Sequence, residues 1–130
     1  MTDEIAAFLE ELPFVTLLGI QLTSADDGEA EAILEMREEL SWTAGEPMAH
    51  SGVTFTLAEV TGAAALISLT SPPVFTVDMR VDYLDAARGD LRATASVLRD
   101  GADIGVVQTD VHDEHGTYVA TAQTVFKITS

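Results

Sequence analysis

Apolar residues recur at two different periods along this chain, and the change of period divides it into elements. Ile5, Phe8, Leu9 and Leu12 stand at helical spacing, which predicts an amphipathic N-terminal helix over Asp3–Leu12, stopped by Pro13. The run from Leu17 to Met36 reads as two extended segments flanking "ADDG", a hairpin signature. Residues 37–49 carry Gly45 and Pro47 and read as loop. Val53–Leu69, "VTFTLAEVTGAAALISL", is apolar nearly all round, which predicts a long central helix buried on every side. It ends before "TSPP", where proline cannot continue it.

Downstream the period drops to two. Val77, Met79, Val81 and Tyr83 alternate with Asp78, Arg80 and Asp82, and Leu91, Ala93, Ala95 and Val97 alternate with more polar positions. "DIGVVQTDVHD" follows the turn "RDGA", and "TYVATAQTVFKI" follows "DEHG". Four such segments predict an antiparallel meander with one solvated face. Its apolar face needs a cover, and the all-round apolar helix is the element that must lie there. The expected class is α+β with the hotdog architecture, a long central helix wrapped by one curved antiparallel sheet. Without linker, repeat or low-complexity tract, residues 1–130 are expected to form one domain.

Charge adds information about surroundings more than about fold. Asp and Glu number 22 against 6 Lys and Arg, a formal net charge of −16, and Lys127 is the only lysine. Such a surface repels nucleic acid and anionic membranes. The acids are spread among apolar residues, so they mark solvated faces rather than a disordered tail. Dense carboxylate suits a protein adapted to molar salt, where screening relieves self-repulsion. There is no cysteine, hence no disulfide, thiolate nucleophile or Cys-ligated metal. The acidic N-terminus lacks a signal-peptide apolar run, and no segment is apolar for long enough to span a bilayer. A soluble, cytoplasmic protein is expected.

The candidate chemistry lies in "AHSGVTFTLAEVTG". Between Pro47 and Val77, Glu59 is the sole carboxylate, with no Lys or Arg in the interval. A carboxylate in an apolar helix is costly unless it is neutralised, paired or kept for function. His50-Ser51-Gly52 opens the same helix, so the N–H groups of Ser51, Gly52 and Val53 are expected to be helix-start donors able to receive a developing oxyanion. Glu59 follows Gly52 by about 10 Å of helix rise. Both can act on one carbonyl only if they come from two copies of the helix. That spacing predicts a two-fold dimer with composite sites.

The spacing His50-Ser51-Gly52, four residues, Leu57-Ala58-Glu59 resembles the hotdog-fold acyl-CoA thioesterases of the phenylacetate-pathway (PaaI-like) type. Their signature is His-Gly-Gly, four residues, Leu-Ala-Asp/Glu, and the likeness extends over about Gly19 to Ile128. The resemblance implies hydrolysis of an acyl-CoA to a free acid and CoA, with Glu59 as nucleophile or base for water. The N–H of Ser51, with that of Gly52, would polarise the carbonyl, His50 would orient loop or substrate, and Thr76 would position water. It implies no cofactor and no metal, coenzyme A being part of the substrate, and a homodimer whose dimers can pair into tetramers. Arg88, Arg92 and Arg99 are candidates for the CoA phosphates; surface ion pairs explain each equally well.

Two departures stand out. The signature's first glycine is Ser51, which still supplies an N–H. Relatives carry Asn or Gln six residues before the histidine, where this chain has Ala44, with Ser41 and Thr43 as possible substitutes. A non-catalytic acyl-CoA-binding module is therefore the alternative from a different class. An acyl-CoA hydratase or dehydratase ranks behind it, lacking the expected spacing and Pro-Gly element. His112 and His115 show no metal-ligand pattern and are expected in a solvated turn, and Phe55 suits either an acyl pocket or the core.

Overall fold

The computed structural model of the protein describes residues 2–70 and 72–129. The N-terminal helix α1 covers Thr2–Glu10 and buries Ile5 and Leu9. Phe8 and Leu12, expected on the same buried face, stay 40% and 38% exposed. Pro13 does more than stop this helix: it is the first residue of a second, α2, over Pro13–Leu18. Proline suits that place because its φ is already helical and the N–H it lacks would have no partner there. Leu17 and Leu18, expected to be extended, are thus helical. Gly19 ends α2 at φ 76° and returns its N–H to the carbonyls of Val15 and Thr16.

The expected hairpin follows, as β1 (Ile20–Asp26) and β2 (Glu29–Leu34). Asp27 and Gly28 both take positive φ, 51° and 81°, the geometry that tight hairpin turns require. After a 3-10 turn at Glu38–Leu40, helix α3 covers Ser51–Ile67, starting and ending two residues before the expected bounds. Twelve of its seventeen residues are buried.

Strands β3 (Val74–Tyr83), β4 (Leu91–Asp100), β5 (Ile104–Asp113) and β6 (Tyr118–Ile128) complete one six-stranded sheet. Its order is β1-β2-β4-β5-β6-β3, and every neighbouring pair is antiparallel. The four-strand meander is therefore corrected: only β4-β5-β6 is one. β2 takes the place beside β4 that the sequence order offers β3. β3 pairs only with β6, at the far edge. Alternation tells which face a residue takes and is silent on which strand lies alongside. The segment after β3 makes the crossing, with Leu84 N–H bonded to Val119 O and Arg88 N–H to the Asp113 carboxylate.

Small side chains let the sheet close on α3. Ala93, Ala95, Ala120 and Ala122 are buried on its inner face. A Cβ on Gly105 would come 2.7 Å from the Leu66 methyls, so the Leu66 side chain of α3 seats directly on the bare β5 backbone there. β3 departs from its expected pattern. A register shift between Thr76 and Asp78 leaves Val77 60% exposed, and Tyr83 is 49% exposed. None of the ten β3 residues is buried. The opposite edge is blunted, because the Thr2 hydroxyl bonds both the N–H and the C=O of Ala25 on β1. β3 is the open edge.

The β5–β6 turn rests on one carboxylate. Asp113 is 6% exposed and accepts the backbone N–H groups of Arg88, His115 and Thr117. Burial pushes its carboxyl up, but the three N–H bonds and nearby His115 outweigh this and hold it below the ordinary range. A carboxylate depressed in the folded state stabilises above its unfolded pKa, and that contribution is lost as pH falls through the folded value. Asp113→Asn should lower the thermal midpoint near neutral pH. Thermal unfolding at stepped pH checks it: the gap to wild type should close below the ordinary carboxylate range.

Candidate active site

His50 caps α3 with its ring. Its φ of −59° and ψ of 144° are extended, and Nδ1 accepts the Gly52 N–H at 2.9 Å. An accepting Nδ1 places the proton of a neutral imidazole on Nε2. Gly52 has no Cβ, and one there would lie 3.2 Å from Nδ1, so glycine lets the ring fold over the helix start. Val53 N–H bonds to His50 O at 2.9 Å. The expectation of three open donors is thus corrected to one. Gly52 and Val53 are engaged, and only the Ser51 N–H lacks a partner among the described residues. Ser51 is helical with negative φ, so its Cβ costs nothing where relatives carry glycine.

Glu59 lies half-buried two turns along α3. The Thr76 hydroxyl, projecting from β3 beside the register shift, donates to its Oε2 at 3.0 Å. Burial pushes the Glu59 carboxyl up, and the Thr76 bond partly offsets this by favouring the ionised form. Glu59 and Thr76, seventeen residues apart in sequence, are thereby brought together. Ser51 and Glu59 of one chain are not: eight residues of rise keep them about 12 Å apart along the helix.

Tyr83 was expected to be a core residue of the β3 alternation. Its side chain instead reaches the helix start, the hydroxyl donating to Ser51 O at 3.0 Å. Only its amphipathic character, a phenol at the end of a strand, hinted at this. Two surface clefts meet at His50. One of about 480 Å³ is lined by Trp42, Ser51, Tyr83 and Val119, and the other of about 500 Å³ by Phe14, Leu18, Leu40, Gly52 and Phe55. Phe55 is 39% exposed and belongs to this second wall rather than to the closed core. Another depression, of about 540 Å³, lies on the outer sheet face around Glu31, Ser96 and Gln108 and holds none of the candidate residues.

The remaining candidates are scattered. Ala44 is exposed, and the hydroxyls offered in its place serve their own loop: Ser41 donates to Met48 O and Thr43 to Glu46 O. Arg88 pairs with Glu46. Arg92 and Arg99 make no ion pair among the described residues, and they stand near opposite ends of β4. Within one chain Arg88, just before the start of β4, and Arg99, near its far end, therefore do not converge on one phosphate. His112 stacks on Tyr118 with ring centres 5.0 Å apart, and His115 is exposed. Among the described residues no group of three or more His, Asp or Glu could hold a metal ion, and no helix is long and apolar enough to cross a membrane.

A six-stranded antiparallel sheet curled around one buried helix, with a carboxylate on that helix facing the open edge strand, defines a hotdog-fold protein. Residues 47–120 match the thioesterase superfamily. A provisionally assigned esterase of Halobacterium salinarum is 33% identical over 95% of this chain and 89% of its own. The medium/long-chain acyl-CoA thioesterase YigI of Escherichia coli is 26% identical over 93% of this chain and 88% of its own. Among solved structures, a Shewanella oneidensis protein related to the thioesterase superfamily superposes with a TM-score of 0.85, at 28% identity, over 98% of this chain and 95% of that one. A mutant of the phenylacetic acid degradation protein PaaI of Thermus thermophilus shares the fold, with a TM-score of 0.80 at 24% identity over 91% of this chain and 100% of that one. The chain belongs to the thioesterase superfamily.

Proposed function

We propose that the protein hydrolyses acyl-CoA thioesters to a free carboxylic acid and CoA, in sites shared between two copies of the chain. The observation that carries this reading is the placement of Glu59 and Thr76 at one end of the open edge strand, with Tyr83 and Ser51 at the other. If β3 pairs with β3 of a second copy in antiparallel fashion, the strand direction reverses across the two-fold axis. The Ser51 end of one chain then comes against the Glu59 end of the other, which spans the 12 Å that a single helix cannot. A thioester carbonyl is held by the Ser51 N–H, whose position at the positive end of α3 favours developing oxygen charge. Glu59 of the second copy either deprotonates a water that attacks the carbonyl, or attacks it directly to form a mixed anhydride that a water then hydrolyses; on either route the C–S bond breaks and CoA leaves as its thiolate. His50 keeps the helix start in shape, and Thr76 steadies the ionised carboxylate. Two such dimers pairing into a tetramer is compatible with this arrangement. Arg99 and Arg92, without an ion pair among the described residues, remain to meet phosphate; Arg88 would have to leave Glu46 to do so.

A test is free-CoA release from a panel of acyl-CoAs in molar salt. Turnover on at least one acyl chain is expected. The engagement of Ser41 and Thr43 within their loop, beside Ala44, favours a second reading, a binding module without hydrolysis. Tight acyl-CoA binding with no turnover on any chain length would establish that one.

The net charge of −16 sets a further expectation. CoA carries several phosphate charges, so approach to this surface is opposed at low salt and eased by screening. Going from about 0.1 M to 1 M salt shrinks the screening length from about 10 Å to 3 Å. kcat/KM for acyl-CoA should rise with salt, whereas that for the uncharged acyl-pantetheine should rise far less. Equal salt responses would show that screening of the phosphates is not the cause.

A further inference from the structure

We propose that Tyr83 is a positioning residue for the oxyanion donor, holding the Ser51–Gly52 peptide from the strand side while His50 holds it from the helix side. The role rests on the thioesterase reading above; the clamp itself stands on geometry. The peptide group that joins Ser51 to Gly52 is gripped at both ends. Its oxygen accepts the Tyr83 hydroxyl at 3.0 Å, and its N–H donates to His50 Nδ1 at 2.9 Å.

The grip answers a local need. A Cβ at Gly52 would crowd the His50 ring at 3.2 Å, glycine relieves that crowding, and a glycine is the residue least able to hold its own backbone angles. Rotation of the Ser51–Gly52 peptide would turn the neighbouring His50–Ser51 peptide, whose N–H is the open donor. Fixing the first plane therefore aims the second. An oxyanion donor acts through preorganisation, so a small loss of aim reduces transition-state binding more than substrate binding.

Tyr83 is well placed to supply that stiffness. Its strand position is set by pairing with Ala120, and the next residue is tied down by Leu84 N–H to Val119 O at 2.8 Å. Tyr83 is also the last residue of the open edge strand. The same residue thus links the edge available to a second copy with the donor that would serve that copy's Glu59.

The substitution Tyr83→Phe deletes the hydroxyl and keeps the ring on the cleft wall. Two measurements test it. In steady-state CoA release, kcat should fall about tenfold with KM within about twofold of wild type. In amide NMR, the Gly52 resonance should move while amides of the β4–β5–β6 core stay in place. The proposal is overturned by an unchanged kcat in an enzyme that depends on Glu59. It is overturned equally by a loss carried wholly in KM, which would make Tyr83 a substrate contact, or by an unmoved Gly52 amide. Absence of turnover by wild type would remove the thioesterase reading and the catalytic role with it. An unchanged Tyr83→Phe beside an active wild type and an inactive Glu59→Gln would remove this inference alone.

Discussion

Glu59→Gln should lower kcat by about a thousandfold while leaving the protein folded. The amide keeps the size of the side chain and still accepts the Thr76 hydroxyl, but it can neither attack nor take a proton. Stability should not fall. Burial raises the Glu59 carboxyl above its ordinary value, so the folded state disfavours the charged form, and above that pKa the charge costs stability. A neutral isostere removes the cost, and thermal unfolding near neutral pH should give a midpoint equal to or higher than wild type. The same shift fixes the pH profile. Activity needs ionised Glu59, so kcat should rise with pH along a limb lying above the ordinary glutamate range. Thr76→Val removes the bond that favours the ionised form and should move that limb to higher pH. Undiminished turnover by Glu59→Gln would take the carboxylate out of the mechanism.

Ser51→Pro should lower kcat by about a hundredfold or more at little cost in stability. Proline deletes the N–H proposed to meet the oxyanion, and the serine hydroxyl lost with it makes no hydrogen bond among the described residues. The first position of a helix tolerates proline, and His50, with ψ at 144°, already has the extended backbone that a residue before proline prefers. Because the two lesions lie on opposite sides of a shared site, mixing them gives a sharper result than either alone. In a heterodimer of Glu59→Gln with Ser51→Pro, one site receives both lesions and the other receives neither. Random pairing of equal amounts should restore about a quarter of wild-type activity per site. Sites built within one chain would give no restoration, so the mixing experiment decides between the two arrangements.

How much of this was legible beforehand varies from element to element. The Asp27-Gly28 turn, the buried helix and the inward alanines of β4 follow from local pattern, because turn chemistry and periodicity act over a few residues. The placement of β3 does not. Its alternation suggested a core strand, yet it is an edge whose Val77 and Tyr83 stay exposed, since neighbour order depends on the path of 84–90 across the ends of β5 and β6. Pro13 shows the same limit on a smaller scale. A proline marks a boundary, but whether chain or helix follows depends on what packs next.

In the candidate site, the lone charge of Glu59 was visible because an isolated carboxylate in an apolar helix violates the pattern around it. Likeness to a family offered Thr76 only as a hydroxyl that positions water; its bond to Glu59 came from the sheet wrapping α3. The count of open donors was misjudged. Sequence shows that helix starts leave N–H groups free, but not that the His50 ring folds back to take one of them. Tyr83 was missed as a contact of Ser51 because the two residues lie thirty-two apart.

The sequence by itself determined the inventory: one helix too apolar to lie anywhere but inside, strands with a solvated face, one stranded carboxylate and a surface of net charge −16. Helix rise added that Glu59 and Ser51 of one chain cannot share a carbonyl. The tertiary structure alone decided which strand stays open, which helix-start donor stays free and which hydroxyl meets Glu59. Those outcomes depend on contacts between segments distant in sequence, where packing and hydrogen-bond satisfaction across the whole sheet choose among arrangements that local patterns leave equal.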